Sequence, residues 1–191
     1  MPIACFDDPN EIIASDTCIT SLSKDVRGST ELRSSEEHKC ERSGCVSLRT
    51  RGALNVALMS NAPCDEPLAQ LLSGQLTVQS LATAYEKDGL GRGVHAGDFK
   101  WVTAAGDEID GRLSGTTNAG LVREKPFKAL EKCVSAGILV GRLCGSVVKS
   151  ENPKLAKARV VATYRLQTTP TKKGESGKVV GTLEGAVITP C

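Results

Sequence analysis

From Cys45 onward the chain alternates between apolar and polar positions with a period of two. In "CVSLRTRGALNVALM", Val46, Leu48, Leu54, Val56 and Leu58 share one parity, and Ser47, Arg49, Arg51 and Asn55 share the other. That is the signature of a half-buried strand, and Gly52 in mid-run marks a bulge or bend. "QLTVQSLATAY" (75–85) is a second strand. "VHAGDFKWVT" (94–103) puts His95, Phe99, Trp101 and Thr103 on one face and Asp98 and Lys100 on the other. "EIDGRLSGTTN" places Ile109, Leu113 and Thr117 opposite Asp110, Arg112, Ser114 and Thr116. "ILVGRLCGSVV" (138–148) is apolar enough to be expected buried on both faces. "KARVVATYRLQ" alternates Ala158, Val160, Ala162, Tyr164 and Leu166 against Lys157, Arg159, Thr163, Arg165 and Gln167. "VVGTLEGAVIT" (179–189) turns Val179, Leu183 and Val187 inward.

Other stretches interrupt this pattern. "CDEPLAQLLSG" (64–74) reads as a short helix, with Asp65 as cap, Pro67 in its first turn and Gly74 as stop. "VREKPFKALEKCVSAG" (122–137) reads as a second, with Gly137 after its C-terminus. "SSEEHKCERSG" (34–44) suits one or two helical turns, and "TTPTKKGESGK" a polar hairpin loop. Residues 1–43 are polar and weakly patterned, which suggests an N-terminal cysteine-containing arm ahead of a β-domain over 44–191. With hairpin-scale links and no βαβ alternation, the expected class is all-β: an antiparallel barrel or sandwich of seven to eight strands with two short helices, cysteine-rich.

Gly-x-Leu-x-Gly occurs three times, as "GRLSG" (111–115), "GRLCG" (141–145) and "GTLEG" (181–185). Each copy falls mid-strand, and its two glycines and leucine share one parity. Glycine weakens a strand centre unless something needs the space. Strand curvature with close packing is the expected use, and a ligand surface the sharper alternative. The texture of "GVHAGDFKW" followed by "IDGRLSG" resembles the glycine-rich strands of dirigent and allene-oxide-cyclase barrels. The resemblance implies a small barrel and, as one alternative, an enzyme. No catalytic residue of that group has a counterpart here.

Composition narrows the role. Aromatic residues are 3% of the chain, so the core must be aliphatic. The net charge of +2, from 24 basic and 22 acidic side chains, lacks the basic excess of a nucleic-acid protein, and few aromatics are available to stack on bases. No apolar run approaches the roughly 18 residues of a membrane helix. The first residues are acidic and show no cationic stretch before an apolar one, so no signal peptide is legible.

Cysteine is the strongest compositional signal. Cys5, Cys18, Cys40, Cys45, Cys64, Cys133, Cys144 and Cys191 are even in number and spread over the chain, which points to disulfides in an oxidising compartment. Buried free thiols and a metal site are the alternatives. Connectivity is not deducible, and Cys5 and Cys191, near the two ends, suit a staple within one chain or between subunits.

The catalytic inventory is thin. His95 is the one plausible base, and in a regular strand Asp98 has the opposite parity. Asp110 belongs to the carboxylate turn "DEID", which is expected to be solvated. His38, Cys40 and Cys45 form a loose zinc-like spacing with no fourth ligand nearby. No cofactor is expected. The reading is therefore a non-enzymatic structural subunit, secreted or exposed on a cell or spore surface. Its expected partner is itself, through β-edges, the N-terminal arm and intersubunit disulfides, with no nucleic acid and no membrane span. The alternatives are a monomeric secreted barrel binding a small ligand or glycan, and an enzyme on a small barrel using His95, Asp98 or Asp110.

Overall fold

The computed structural model describes residues 17–39, 46–60, 72–87, 92–118, 137–169 and 174–191. Within them eight strands run in chain order: β1 (Thr17–Lys39), β2 (Val46–Ser60), β3 (Gly74–Lys87), β4 (Arg92–Thr103), β5 (Glu108–Asn118), β6 (Gly137–Lys149), β7 (Arg159–Thr168) and β8 (Ser176–Pro190). Each pairs antiparallel with the next, and β8 pairs with β1, closing an up-and-down barrel. Following the rungs from Thr20 through Val187, Val160, Gly145, Gly111, Phe99, Val78 and Leu54 returns to β1 at Thr30, ten residues further on. Eight strands with this stagger enclose a space that side chains can fill.

The alternation read from β2, β4, β5, β7 and β8 is the inside-outside alternation of this barrel. Leu54, Val56, Leu58, Phe99, Trp101, Ile109, Val160, Val179, Leu183 and Val187 are all buried in one core. Burial of such aliphatic side chains contributes on the order of 2 kcal/mol each and is the main force holding the staves together.

Three expectations are corrected. Residues 34–39 are not helical: β1 continues through them, paired with Arg51 to Val46 of β2. The ladder satisfies their backbone groups on that side, which two isolated helical turns would leave open. β6 is not buried throughout on both faces: on its outer parity Val140 is 41% and Val148 57% exposed, although Cys144 between them is buried, and among the described residues no second layer covers that face. β1 also adds a strand that residue patterning missed. The 43/44 boundary falls in the β1–β2 connection, so 17–39 of the segment expected to be an arm is a stave bonded to β2 and β8.

The helices expected over 64–74 and 122–137 lie outside the described residues, apart from their last positions. Leu72 and Ser73 lead into β3, and Gly74 and Gly137 open β3 and β6. Gly137 has φ of 141°, a backbone state that favours glycine.

Among the described residues three irregularities shape the wall, one of them on β6, where Glu108 stands opposite Lys149 and Ile109 opposite Val147. The register shifts between Leu32 and Ser34 on β1, and β3 carries an extra residue between Val78 and Ala82. The Arg33 guanidinium donates to the Gln79 carbonyl at 3.1 Å, tying the two bulges together across β2 at Gly52. The expected bend at Gly52 is thus real, and the inserted residues sit on its neighbours.

Candidate functional site

The first and second Gly-x-Leu-x-Gly copies face each other. Gly111 pairs with Gly145, Leu113 with Leu143 and Gly115 with Gly141 across the β5–β6 ladder. Both leucines point into the core. The glycines leave bare backbone at each end of this pair, and an aromatic ring occupies each space. A Cβ on Gly111 or Gly145 would stand 2.7 or 2.8 Å from Phe99 Cζ. A Cβ on Gly141 would stand 2.7 Å from Tyr164 Cζ. The repeat is a seat for two rings.

The Tyr164 seat is the most chemically distinctive place in the lumen. Successive inward rungs run Thr50, Thr83, His95, Gly115, Gly141 and Tyr164. With no side chains on the two glycines, His95 and Tyr164 meet over them: Nε2 lies 2.5 Å from the Tyr164 hydroxyl oxygen. His95 Nδ1 lies 2.9 Å from Thr117 Oγ1. In one tautomer Nδ1–H donates to Thr117 and Tyr164 donates to Nε2; in the other the directions reverse. Either way both ring nitrogens are engaged. Burial lowers the His95 pKa to about 4 and pushes the Tyr164 phenol up from its ordinary value, so both are neutral at pH 7.

Below this pair lies a cavity of about 30 Å³, lined by aliphatic side chains together with His95 and Tyr164. That is room for about two water molecules. At the opposite end of the lumen Lys24, on the inward parity of Leu22 and Val26, is fully buried. Its Nζ lies 3.1 Å from Ser73 Oγ, and burial lowers its pKa to about 8. Trp101, near the same end, is also fully buried, and among the described residues its Nε1–H has no hydrogen-bond partner. Sequence reasoning passed over Lys24, although a lysine between two apolar residues of like parity was the available signal.

The expected catalytic residues are not brought together. His95 points inward, while Asp98 is on the outer face with a 75% exposed side chain, paired with Arg112 at 3.2 Å. Asp110 is also exposed on the outside. The "DEID" carboxylates diverge. Asp107 is buried, accepting from Thr103 at 3.0 Å and from Ser150 at 2.5 Å, which fixes the β4–β5 turn. Glu108 instead pairs with Lys100 at 2.5 Å and Lys149 at 3.7 Å on the surface. The hydrogen bond with Lys100 holds the Glu108 carboxyl below its usual range and raises the Lys100 ammonium.

Of the cysteines, Cys18 and Cys191 form a disulfide, Cα–Cα 5.2 Å, joining the start of β1 to the residue after β8. Cys144 is a buried free thiol, opposite Arg112 and Val161 in the ladders. Cys5, Cys40, Cys45, Cys64 and Cys133 lie outside the described residues. The zinc-like set His38, Cys40 and Cys45 is therefore described only at His38, which stands opposite Ser47 in β1–β2. Among the described residues no three His, Cys, Asp or Glu side chains gather as a metal site.

Comparison with protein-family models, with curated proteins and with solved structures finds no match to this chain. The site is therefore read from its own geometry.

Proposed function

We propose that this protein is a non-catalytic structural barrel, exported to an oxidising compartment or exposed on a surface, that assembles with copies of itself. The observation that carries the reading is the filled lumen. His95 is buried and bonded at both nitrogens, and the cavity inside the core below it is about 30 Å³, well under the few hundred Å³ of an ordinary ligand pocket. Acid–base chemistry needs a free base within reach of a substrate, and His95 has both nitrogens engaged and a proton affinity lowered by burial. The function then belongs to the outer surface.

Two further features support the reading. A disulfide between Cys18 and Cys191 suits an oxidising compartment. The pairing of β1 with β8 ends at Glu31, whereas its pairing with β2 continues to Lys39. Among the described residues the outer edge of Leu32–Lys39 thus has no strand beside it, and such an edge can accept one from a second copy. The outer face carries Asp25, Arg27, Asp98, Lys100, Arg112 and Arg165 around an aliphatic interior. This is the reverse of a bilayer-spanning barrel and favours a wall facing water.

Intact mass and non-reducing electrophoresis of the protein from its native source test the reading. Disulfides, within or between chains, are the expected result. Fully reduced thiols throughout would remove the oxidising compartment.

A second reading has one observation behind it. A groove of about 750 Å³ is lined by the outward residues Glu36, Arg49, Arg51, Val94 and Thr116 and reaches the inward Thr50, Thr83 and His95, a size and polarity suited to a glycan. Glycan binding lost on Arg49→Ala would favour it.

A further inference from the structure

The contact between His95 and Tyr164 joins β4 to β7 across the inside of the barrel, over two strands that contribute only glycine at that level. It is a strut rather than a surface contact, because nothing but Gly115 and Gly141 lies on the rungs between the two side chains. The surrounding inward groups are Thr50, Thr83, Thr117 and Thr168, all buried hydroxyls. The Thr50 and Thr168 hydroxyls already donate to the carbonyls of Thr83 and Gly137. Among the described residues no charged side chain is bonded to His95, whose partners are Thr117 and Tyr164; Glu36 of β1 and Arg49 and Arg51 of β2, on the outward parity, border the same groove as the ring. Lys24 and Asp107 stand at the other end of the barrel, and Asp98 points away from the lumen.

Protonation of His95 would therefore do two things at once. It would place a charge on a buried ring whose bonded partners, Thr117 and Tyr164, are both neutral. It would also make Nε2 a donor, so that the Tyr164 oxygen must accept and its own O–H is left without an acceptor in an apolar setting.

We propose that the His95–Tyr164 bond is an acid-labile strut, whose release opens the end of the barrel formed by the start of β4, the end of β5 and the end of β7 while the opposite end stays closed. The opposite end has its own ties. Trp101, Ile109, Leu72 and Leu155 are all fully buried there, and the Cys18–Cys191 disulfide holds β1 to the chain end beyond β8.

An opened state that wets His95 restores its ordinary pKa near 6.5, whereas the closed state holds it at about 4. Between those values only the opened state takes up the proton, so its population grows about tenfold for each pH unit of acidification. Above pH 6.5 neither state is protonated and opening is independent of pH.

Amide hydrogen exchange, corrected for the intrinsic rate and followed from pH 7 to pH 4 on the full oxidised chain, tests this. In the wild type, segments 92–97, 113–118 and 162–168 are expected to open on the order of a hundredfold more often at pH 4 than at pH 6.5. Segments 99–109 and 155–160 should keep their protection. In His95→Gln, which retains a hydrogen-bonding side chain but does not titrate, the acid step should disappear. An equal acid step in His95→Gln, simultaneous loss of protection at both ends, or no acceleration at all would overturn the proposal. The imidazole nitrogen resonances of the wild type give a check that needs no variant: an ordinary midpoint near pH 6.5 would equally overturn it.

Discussion

Gly141 and Tyr164 are rung partners on β6 and β7, and a Cβ on the glycine would stand 2.7 Å from Tyr164 Cζ. The ring can reach His95 only because that Cβ is missing. Gly141→Ala should therefore destabilise the barrel by about 3 kcal/mol, the upper range for overpacking a core, and break the His95 contact. Gly97→Ala, whose Cβ first meets a Val78 methyl at 2.9 Å, should cost less because a side chain can shift. Urea unfolding of both variants against the wild type checks the order.

Tyr164→Phe keeps the ring on its glycine seat and deletes the hydroxyl. It leaves His95 Nε2 buried without its partner, so a loss of about 1–2 kcal/mol is expected. The far-ultraviolet spectrum should be unchanged. A loss near zero in chemical denaturation would mean that the bond contributes nothing net.

Lys24 gives an alkaline counterpart. Its pKa is about 8 in the folded barrel and ordinary, near 10.4, in the unfolded chain. Burial disfavours the charged form, so the folded state is penalised while Lys24 is protonated, and the penalty lifts as pH rises above 8. Wild-type stability, relative to Lys24→Met, should increase on the order of 2 kcal/mol between pH 8 and 10. At pH 7 the methionine variant should be at least as stable as the wild type. Parallel stability curves for the two proteins over this range would contradict the assignment.

The Cys18–Cys191 disulfide closes a separation of 173 residues. Long loops lose the most unfolded-state freedom when crosslinked. Cys18→Ser should lower stability by about 2–4 kcal/mol, with the barrel still formed, because Cys18 and its neighbours also pair with β8 through the backbone. Thermal melts with and without the crosslink measure this.

The barrel was legible where alternation is clean. β4 carries Phe99 and Trp101, and β7 carries Val160, Ala162, Tyr164 and Leu166, on the inward parity, and all of these are buried. β1 escaped because its inward row is Leu22, Lys24, Val26, Gly28, Thr30 and Leu32. A lysine, a glycine and a threonine break the apolar period, and the bulge at Arg33 then shifts its phase. Closure explains both: the ends of a barrel accept polar inward residues, and stagger demands bulges.

The site was half legible. The parity shared by His95, Phe99 and Trp101 put the histidine inside and separated it from Asp98. Its partner Tyr164 lies 69 residues away, and only the registers of the three ladders from β4 to β7 bring the two together. Those registers depend on cross-strand fit, including glycine against glycine, which no local pattern encodes. The pairing of Cys18 with Cys191 is hidden for the same reason, since it exists only once β8 has closed on β1.

Sedimentation of the unreduced full chain over a wide concentration range tests the central claim most directly. Self-assembly predicts species at multiples of the 20.1 kDa protomer, their population rising with concentration. A single 20.1 kDa species at every concentration would contradict it.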